Sequence, residues 1–268
     1  MKIDHDLHVH TNISLCASPE ATLEMCMEQC KRLGIKKMAI TNHMWDHSVS
    51  GWEEIGRFYA VQDADYVFAI RKEIDEANKK GANFLFGCET EYSLKERRPA
   101  IRPEAAEQME VLLVPNSHTH ITMPKSFYEP HRKHAEYMID AFWDIVKSDV
   151  AKYITAIPHP FLAVACPYDN HMLLNEIRDD EFKRCFDAAA EKGIALELNP
   201  NYIKNKSLSE IYDDPILRMF RIGKECGCKF TVATDAHSAE HFENYHLIYV
   251  LASLLDLRED DFHPIVRS

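Results

Sequence analysis

"LGIKKMAI", residues 33–40, sets a pattern that returns along the chain. Residues 20–33 place apolar side chains at helical spacing, and residues 37–40 form a short apolar run of the kind a strand makes. Gly34 sits between them, where glycine ends a helix because it adopts the left-handed conformation without a Cβ penalty. The same succession of helix, glycine and strand is written in "KGANFLFG" (80–87), "KGIALEL" (192–198) and "CGCKFTVA" (226–233).

Seven strand-like runs can be read, at 3–7, 37–40, 84–88, 111–114, 153–157, 195–198 and 230–233. Helical patterns at 20–33, 64–80, 134–148, 180–192 and 208–226 separate most of them. This alternation predicts an α/β fold with a parallel sheet and helical crossovers. No Gly-, Ser- or Pro-rich linker interrupts the chain, so one domain over residues 1–268 is expected, a size ordinary for an α/β barrel. The long irregular stretches at 43–63, 91–107 and 119–133 each follow a strand, the end at which such a barrel builds its site.

Composition excludes several classes. With 46% hydrophobic and 28% charged residues the chain is an ordinary globular one. A formal charge of -12 opposes nucleic-acid backbones, so nucleic acid is not an expected partner. No apolar run is long enough to span a membrane, and the N-terminus lacks the apolar core of a secretion signal. Eight cysteines are scattered without a C-x-x-C pair, which reads as reduced thiols in a cytoplasmic protein.

The residues just past the strands carry the chemistry. His8 and His10 follow the first, His43 the second, Glu89 the third, His118 and His120 the fourth, His159 the fifth, Asn199 the sixth, and Asp235 and His237 the seventh. In a closed parallel barrel these ends share one rim. Crowding that many imidazoles and two carboxylates without cations would leave polar groups dehydrated and acids in repulsion. Residues i and i+2 of an extended segment face one side, so His8 with His10, and Asp235 with His237, can each grip one ion. The donors exceed what one tetrahedral ion uses, which predicts two or three divalent metal ions, Zn, Mn or Fe. His5, His47, His131, His134, His171, His241, His246 and His263 lie outside this pattern.

"DLHVHTN" (6–12), "AITNH" (39–43), "FGCETEY" (86–92), "VPNSHTH" (114–120), "IPHPF" (157–161) and "ATDAH" (233–237) resemble, in order, the motifs of the polymerase and histidinol phosphatase (PHP) superfamily. The resemblance spans nearly the whole chain, whose length looks like that of the stand-alone histidinol-phosphate phosphatases. It implies a distorted TIM-like (β/α)7 barrel, a trinuclear metal site and phosphoesterase chemistry on a small phosphorylated substrate, with a hydroxide shared by two ions as nucleophile. The implied ligands fall on His8, His10, His43, Glu89, His118, His159, Asp235 and His237, with His120 either an alternative to His118 or a substrate-side neighbour. Asp235, His237 and His120 are the implied catalytic groups. Two departures stand out. Leu15, followed by Cys16, occupies the position of a usual acid or histidine ligand, and Asn42 replaces an acid before His43, which would weaken the hold on His43.

For substrate recognition, Arg97, Arg98, Arg102, Lys125 and Lys204 lie on loops and could clamp phosphate, and Asn199 could either bind substrate or cap its own turn. Trp45, Trp52, Phe58 and Tyr59 could form a lid or pack onto the barrel. Two other readings compete: an amidohydrolase-type metal hydrolase, which also begins with H-x-H on a first barrel strand, and a metal-holding protein that binds without turnover.

Overall fold

A computed structural model describes residues 3–266 of the chain. Seven parallel strands form the barrel: β1 (His5–Val9), β2 (Lys37–Met44), β3 (Phe84–Thr90), β4 (Val111–Leu113), β5 (Ala156–Ile157), β6 (Ala195–Leu198) and β7 (Phe230–Val232). They pair in sequence order. The ring closes from β1 to the residues past β7, where Asp235 N donates to His8 O at 2.9 Å and His10 N to Ala236 O at 2.8 Å. The architecture is the distorted (β/α)7 barrel, and each expected strand is present within a few residues of its reading.

Around the ring lie α1 (Leu23–Leu33), α2 (Arg71–Lys79), α3 (His131–Lys147), α4 (Asp179–Lys192), α5 (Pro215–Glu225) and α6 (Leu247–Leu254). Thr22 caps α1 by accepting from Met25 N at 3.2 Å, and Gly34 ends it at φ 71°. Two expected helices are each broken in two. The pattern at 208–226 divides into Leu208–Tyr212 and α5, because Pro215 has no N–H to continue a helix and Asp214 instead caps a new one by accepting from Ile216 N at 2.9 Å. The pattern at 64–80 divides into Ala64–Phe68 and α2. A hairpin of Tyr92–Ser93 with Arg98–Pro99, which the sequence reading lacked, tightens the loop after β3.

Alternation sorts the side chains. Phe84 and Phe86 of β3 and Leu196 and Leu198 of β6 face the helices, while Ala39, Val111, Leu113, Ala156 and Ala195 form a small layer inside the ring. In β1 the register slips between Asp6 and Val9, so Leu7 joins that inner layer and the His8 ring still reaches the interior. Small residues in the layer leave room above it, at the strand C-termini, for larger polar groups. No helix among the described residues is long and apolar enough to cross a membrane.

Candidate metal centre

The barrel gathers residues 8 to 237 at its C-terminal rim. His8, Glu89 and His159 form one group whose donor atoms lie within 4.8 Å of each other, His8, His10 and Asp235 a second, and His10, His43 and His237 a third. Glu89 stands between them: its Oε2 is 3.3 Å from His8 Nε2 and 3.1 Å from His43 Nδ1, and its Oε1 is 3.2 Å from His159 Nε2 and 3.6 Å from His118 Nε2. Asp235 Oδ1 is 3.4 Å from His8 Nε2 and 3.2 Å from His10 Nε2. His118 therefore adjoins the cluster through Glu89. His120 does not join it and lines the cavity above, its ring edge-on to His118 at 5.6 Å. His159 and Asp235 both have left-handed backbones, φ 29° and 54°, a conformation that costs non-glycine residues energy and recurs where a site dictates geometry.

Behind five of the imidazoles is a partner that fixes the ring proton. His8 donates from Nδ1 to Glu197 Oε2 at 2.9 Å, His118 from Nδ1 to Glu91 at 2.8 Å, and His237 from Nδ1 to the Asp235 carbonyl at 2.9 Å. His159 Nδ1 meets Ser117 Oγ at 2.7 Å. The Ser14 hydroxyl donates to Asn42 Oδ1 at 2.9 Å, so it accepts from His10 Nδ1 at 3.3 Å. The inward nitrogens Nε2 of His8 and His10 are then both bare, yet they face one another at 2.9 Å, fully buried. Two lone pairs at that distance need a positive charge between them. Without metal, a proton on His8 supplies it: burial opposes that charge, but Glu89, Glu197 and Asp235 outweigh it and hold the imidazole well above its ordinary pKa. A divalent cation fits the same place. Glu89 Oε2 and His43 Nδ1, buried and 3.1 Å apart without the alignment of a hydrogen bond, point to the same demand.

Burial would raise the Glu89 carboxyl, but His8, His118 and His43 hold it well below the usual range, and Asp235 is likewise held down by His8 and His10 against its burial. Burial, with His237 and His43, keeps His10 well below its usual value, as a neutral ligand requires. Burial, with His118 beside it, pushes His120 down to about 4.

A scan against family models matches residues 6–201 to the PHP domain. The chain belongs to the PHP domain family. No curated protein matches it by sequence. Its fold is similar to that of histidinol phosphate phosphatase from Lactococcus lactis subsp. lactis, solved with zinc, L-histidinol and phosphate, at 15% identity and TM-score 0.65, covering 97% of this chain and 94% of that one. It is also similar to a putative histidinol phosphatase from Listeria monocytogenes, at 13% identity and TM-score 0.66, covering 88% and 96%. N-isopropylammelide isopropylaminohydrolase from Burkholderia multivorans aligns at 11% identity and TM-score 0.48, covering 97% and 70%.

The centre of this PHP domain opens into a cavity of about 540 Å3 lined by Cys16, His43, His118, His120, Asp235 and His237, with Ile55, Phe58, Ile121, Val164 and Glu54 on its walls. None of the expected phosphate clamps reaches it. Arg97 pairs with Asp144 at 2.9 Å, Arg98 with Asp149 at 3.0 Å and Arg102 with Asp46 at 2.8 Å, so these guanidiniums bind neighbouring elements together. Lys125 starts an exposed turn and Lys204 is exposed, both away from the cavity. Asn199 caps the turn Pro200–Tyr202, accepting from Asn201 N at 2.9 Å, and donates to Glu197 Oε1 at 3.0 Å; it also lines a smaller cavity beside His159. Of the four lid aromatics, Phe58 faces the site, edge-on to His43 at 5.6 Å. Trp45 and Tyr59 are buried against Val49 and Ala100, and Trp52 stacks on His47. Asn42 acts on His10 through Ser14; it makes no hydrogen bond to the His43 ring, so its expected effect on that ligand falls elsewhere.

Glu91 and Glu197 are site residues that the sequence reading missed. Glu91 shares the parity of Glu89 in "CETEY", and Glu197 is a lone charge in the buried strand "ALEL". Either feature would have revealed them.

Proposed function

We propose that this PHP domain is a metal-dependent hydrolase of phosphate monoesters, acting on substrates of the histidinol phosphate kind. The bare nitrogens of His8 and His10, 2.9 Å apart, carry the reading, because they call for a cation where Glu89, His159 and Asp235 also converge. Zinc, manganese or iron held by His8, His10, His43, Glu89, His118, His159, Asp235 and His237 would supply positive charge for the phosphoryl oxygens and lower the pKa of water to about 7.

The chain's own residues do the rest. Glu197, Glu91, Ser14 and Ser117 keep the ring protons outside and the inward nitrogens in place. Asp235, held ionised, suits a ligand better than a proton donor. His120 stands as a neutral imidazole on the cavity wall, placed to hydrogen-bond the departing oxygen. Phe58, Ile55, Ile121 and Val164 exclude water and suit an apolar alcohol portion, while exposed Glu54 favours a cationic group on it. L-histidinol, present with phosphate in the Lactococcus structure, has that chemistry.

Phosphate release by zinc- and manganese-loaded protein from histidinol phosphate, a sugar phosphate and a nucleoside monophosphate, alongside ring opening of a cyclic amide, tests this. The expected result is metal-dependent release, fastest from histidinol phosphate. Turnover of the amide alone would establish the amidohydrolase reading, and full metal occupancy without any turnover would make the protein a binder.

A further inference from the structure

His118 takes little direction from its backbone. His43 lies within β2, whose ladder to β3 sets it opposite Glu89, whereas His118 stands beyond the end of β4, at the turn that opens the helix Thr119–Thr122. Its ring is aimed from behind by the buried carboxylate of Glu91, whose Oε1 and Oε2 accept from Nδ1 at 2.8 and 3.0 Å. Glu91 has one further hydrogen-bond donor among the described residues, the hydroxyl of Tyr59, which donates to Oε1. Tyr59 is itself fully buried in the helix Arg57–Val61. Trp45 packs against its ring at 5.6 Å, and its carbonyl accepts from His47 Nε2 at 2.7 Å.

We propose that Tyr59 is a positioning residue of the centre: its hydroxyl fixes the Glu91 carboxylate that aims His118, and so ties the segment bearing Phe58 to the loading of the site. Three observations meet there. A carboxylate that shares a single N–H between both oxygens can still pivot about that proton, and a second donor arriving from another element stops the pivot. The aim of His118 depends on that carboxylate, since its inward Nε2 is 3.6 Å from Glu89 Oε1 and its ring stacks on His159 at 5.1 Å. The helix that brings the hydroxyl also carries Phe58, which lines the cavity edge-on to His43 at 5.6 Å. One buried bond therefore joins the wall that meets the substrate to the imidazole beneath it. Coupling of this kind is reciprocal: if a seated helix improves the hold on a cation, the cation must stabilise the seated helix by the same factor.

The inference rests on the cluster being a metal centre, as in the function proposed above. Zinc affinity of metal-free full-length protein is measured by competition with a chromophoric chelator in wild type, Tyr59→Phe and Tyr92→Phe. The last is a control: it removes another buried phenol hydroxyl, bonded to Asp144 at 2.6 Å and one residue along from Glu91. Zinc is expected to bind about tenfold more weakly to Tyr59→Phe, the low end for groups behind a ligand, and as in wild type to Tyr92→Phe. Zinc is also expected to slow amide hydrogen exchange across residues 57–61 in wild type, and to slow it less in Tyr59→Phe. Wild-type zinc affinity in Tyr59→Phe, or an equal loss in both variants, overturns the positioning role and leaves the hydrolase reading standing. No zinc binding in wild type overturns both, and the expected affinities without phosphate release support the positioning role while removing only the hydrolase. Should Tyr59→Phe fail to fold, exchange in wild type decides, and a rate across residues 57–61 that zinc does not change overturns the proposal.

Discussion

Glu197→Gln isolates the contribution of a residue that touches no ion. Glu197 Oε1 accepts from His159 N at 3.2 Å and Asn199 Nδ2 at 3.0 Å, so the glutamine oxygen will settle there. Its NH2 then occupies the place of Oε2 and meets the His8 Nδ1 proton 2.9 Å away, donor against donor. His8 relieves the clash by moving its proton to Nε2, which is the nitrogen aimed at the cluster. The loss is one buried charge-assisted hydrogen bond, about 1.5–3 kcal/mol. At 1.4 kcal/mol per decade, zinc binding weakens roughly 10- to 100-fold. Competition with a chromophoric chelator measures this on metal-free protein, with circular dichroism confirming an unchanged fold. A folded variant with wild-type zinc affinity would refute the claim that Glu197 fixes the His8 tautomer.

Four further variants address other levels of the structure. Asp6 is buried under Thr234 and His8, and burial, only partly offset by their hydrogen bonds, pushes its carboxyl from 3.8 up to about 7. The native state therefore holds the proton better than the unfolded chain, so this group's contribution is full below about pH 4 and is lost as pH rises through 7; thermal melts of metal-free Asp6→Asn should be flatter than wild type across that window, and parallel curves would contradict the assignment. At Gly87 an added Cβ would lie 2.2 Å from Val111 O and 3.0 Å from Val111 Cβ, against the strand it pairs with, so Gly87→Ala is expected to cost about 3 kcal/mol or more in urea unfolding, with wild-type stability as the contrary result. His120→Asn should lower phosphatase kcat/KM without changing metal content, whereas Arg97→Ala should leave KM unchanged; a raised KM in the arginine variant would return it to the substrate.

The barrel was legible because its periodicities are local. Each strand is a short apolar run ended by a polar residue, and four of the crossovers announce themselves with a left-handed glycine, at Gly34, Gly81, Gly193 and Gly227. The rim was legible because closure turns seven strand ends into one neighbourhood. Glu197 escaped because it sits inside β6, one layer below the rim, where it reaches His8 of a strand 189 residues away in sequence. The arginines escaped in the opposite sense: "KERRP" looks like an anion clamp, but whether a guanidinium is free depends on Asp144, Asp149 and Asp46, whose approach only the folded loops determine. Asn42 was misjudged for a similar reason, since its partner is the Ser14 hydroxyl of another loop and not the histidine beside it in sequence.

Charge ties the fold to the chemistry. The chain carries a formal -12, Glu54 is the acid on the upper cavity wall, and no Lys or Arg among the described residues lines that cavity. A phosphate ester approaching this surface meets a field of its own sign. Other anion sites answer that with guanidiniums or a helix N-terminus; here Arg97, Arg98 and Arg102 are committed to carboxylates, and the strand ends instead present imidazoles whose outer nitrogens are anchored and whose inner nitrogens are bare. On the phosphatase reading, attraction for the substrate would have to come from cations held at the base of the cavity, by imidazoles that the carboxylates and hydroxyls behind them keep in place.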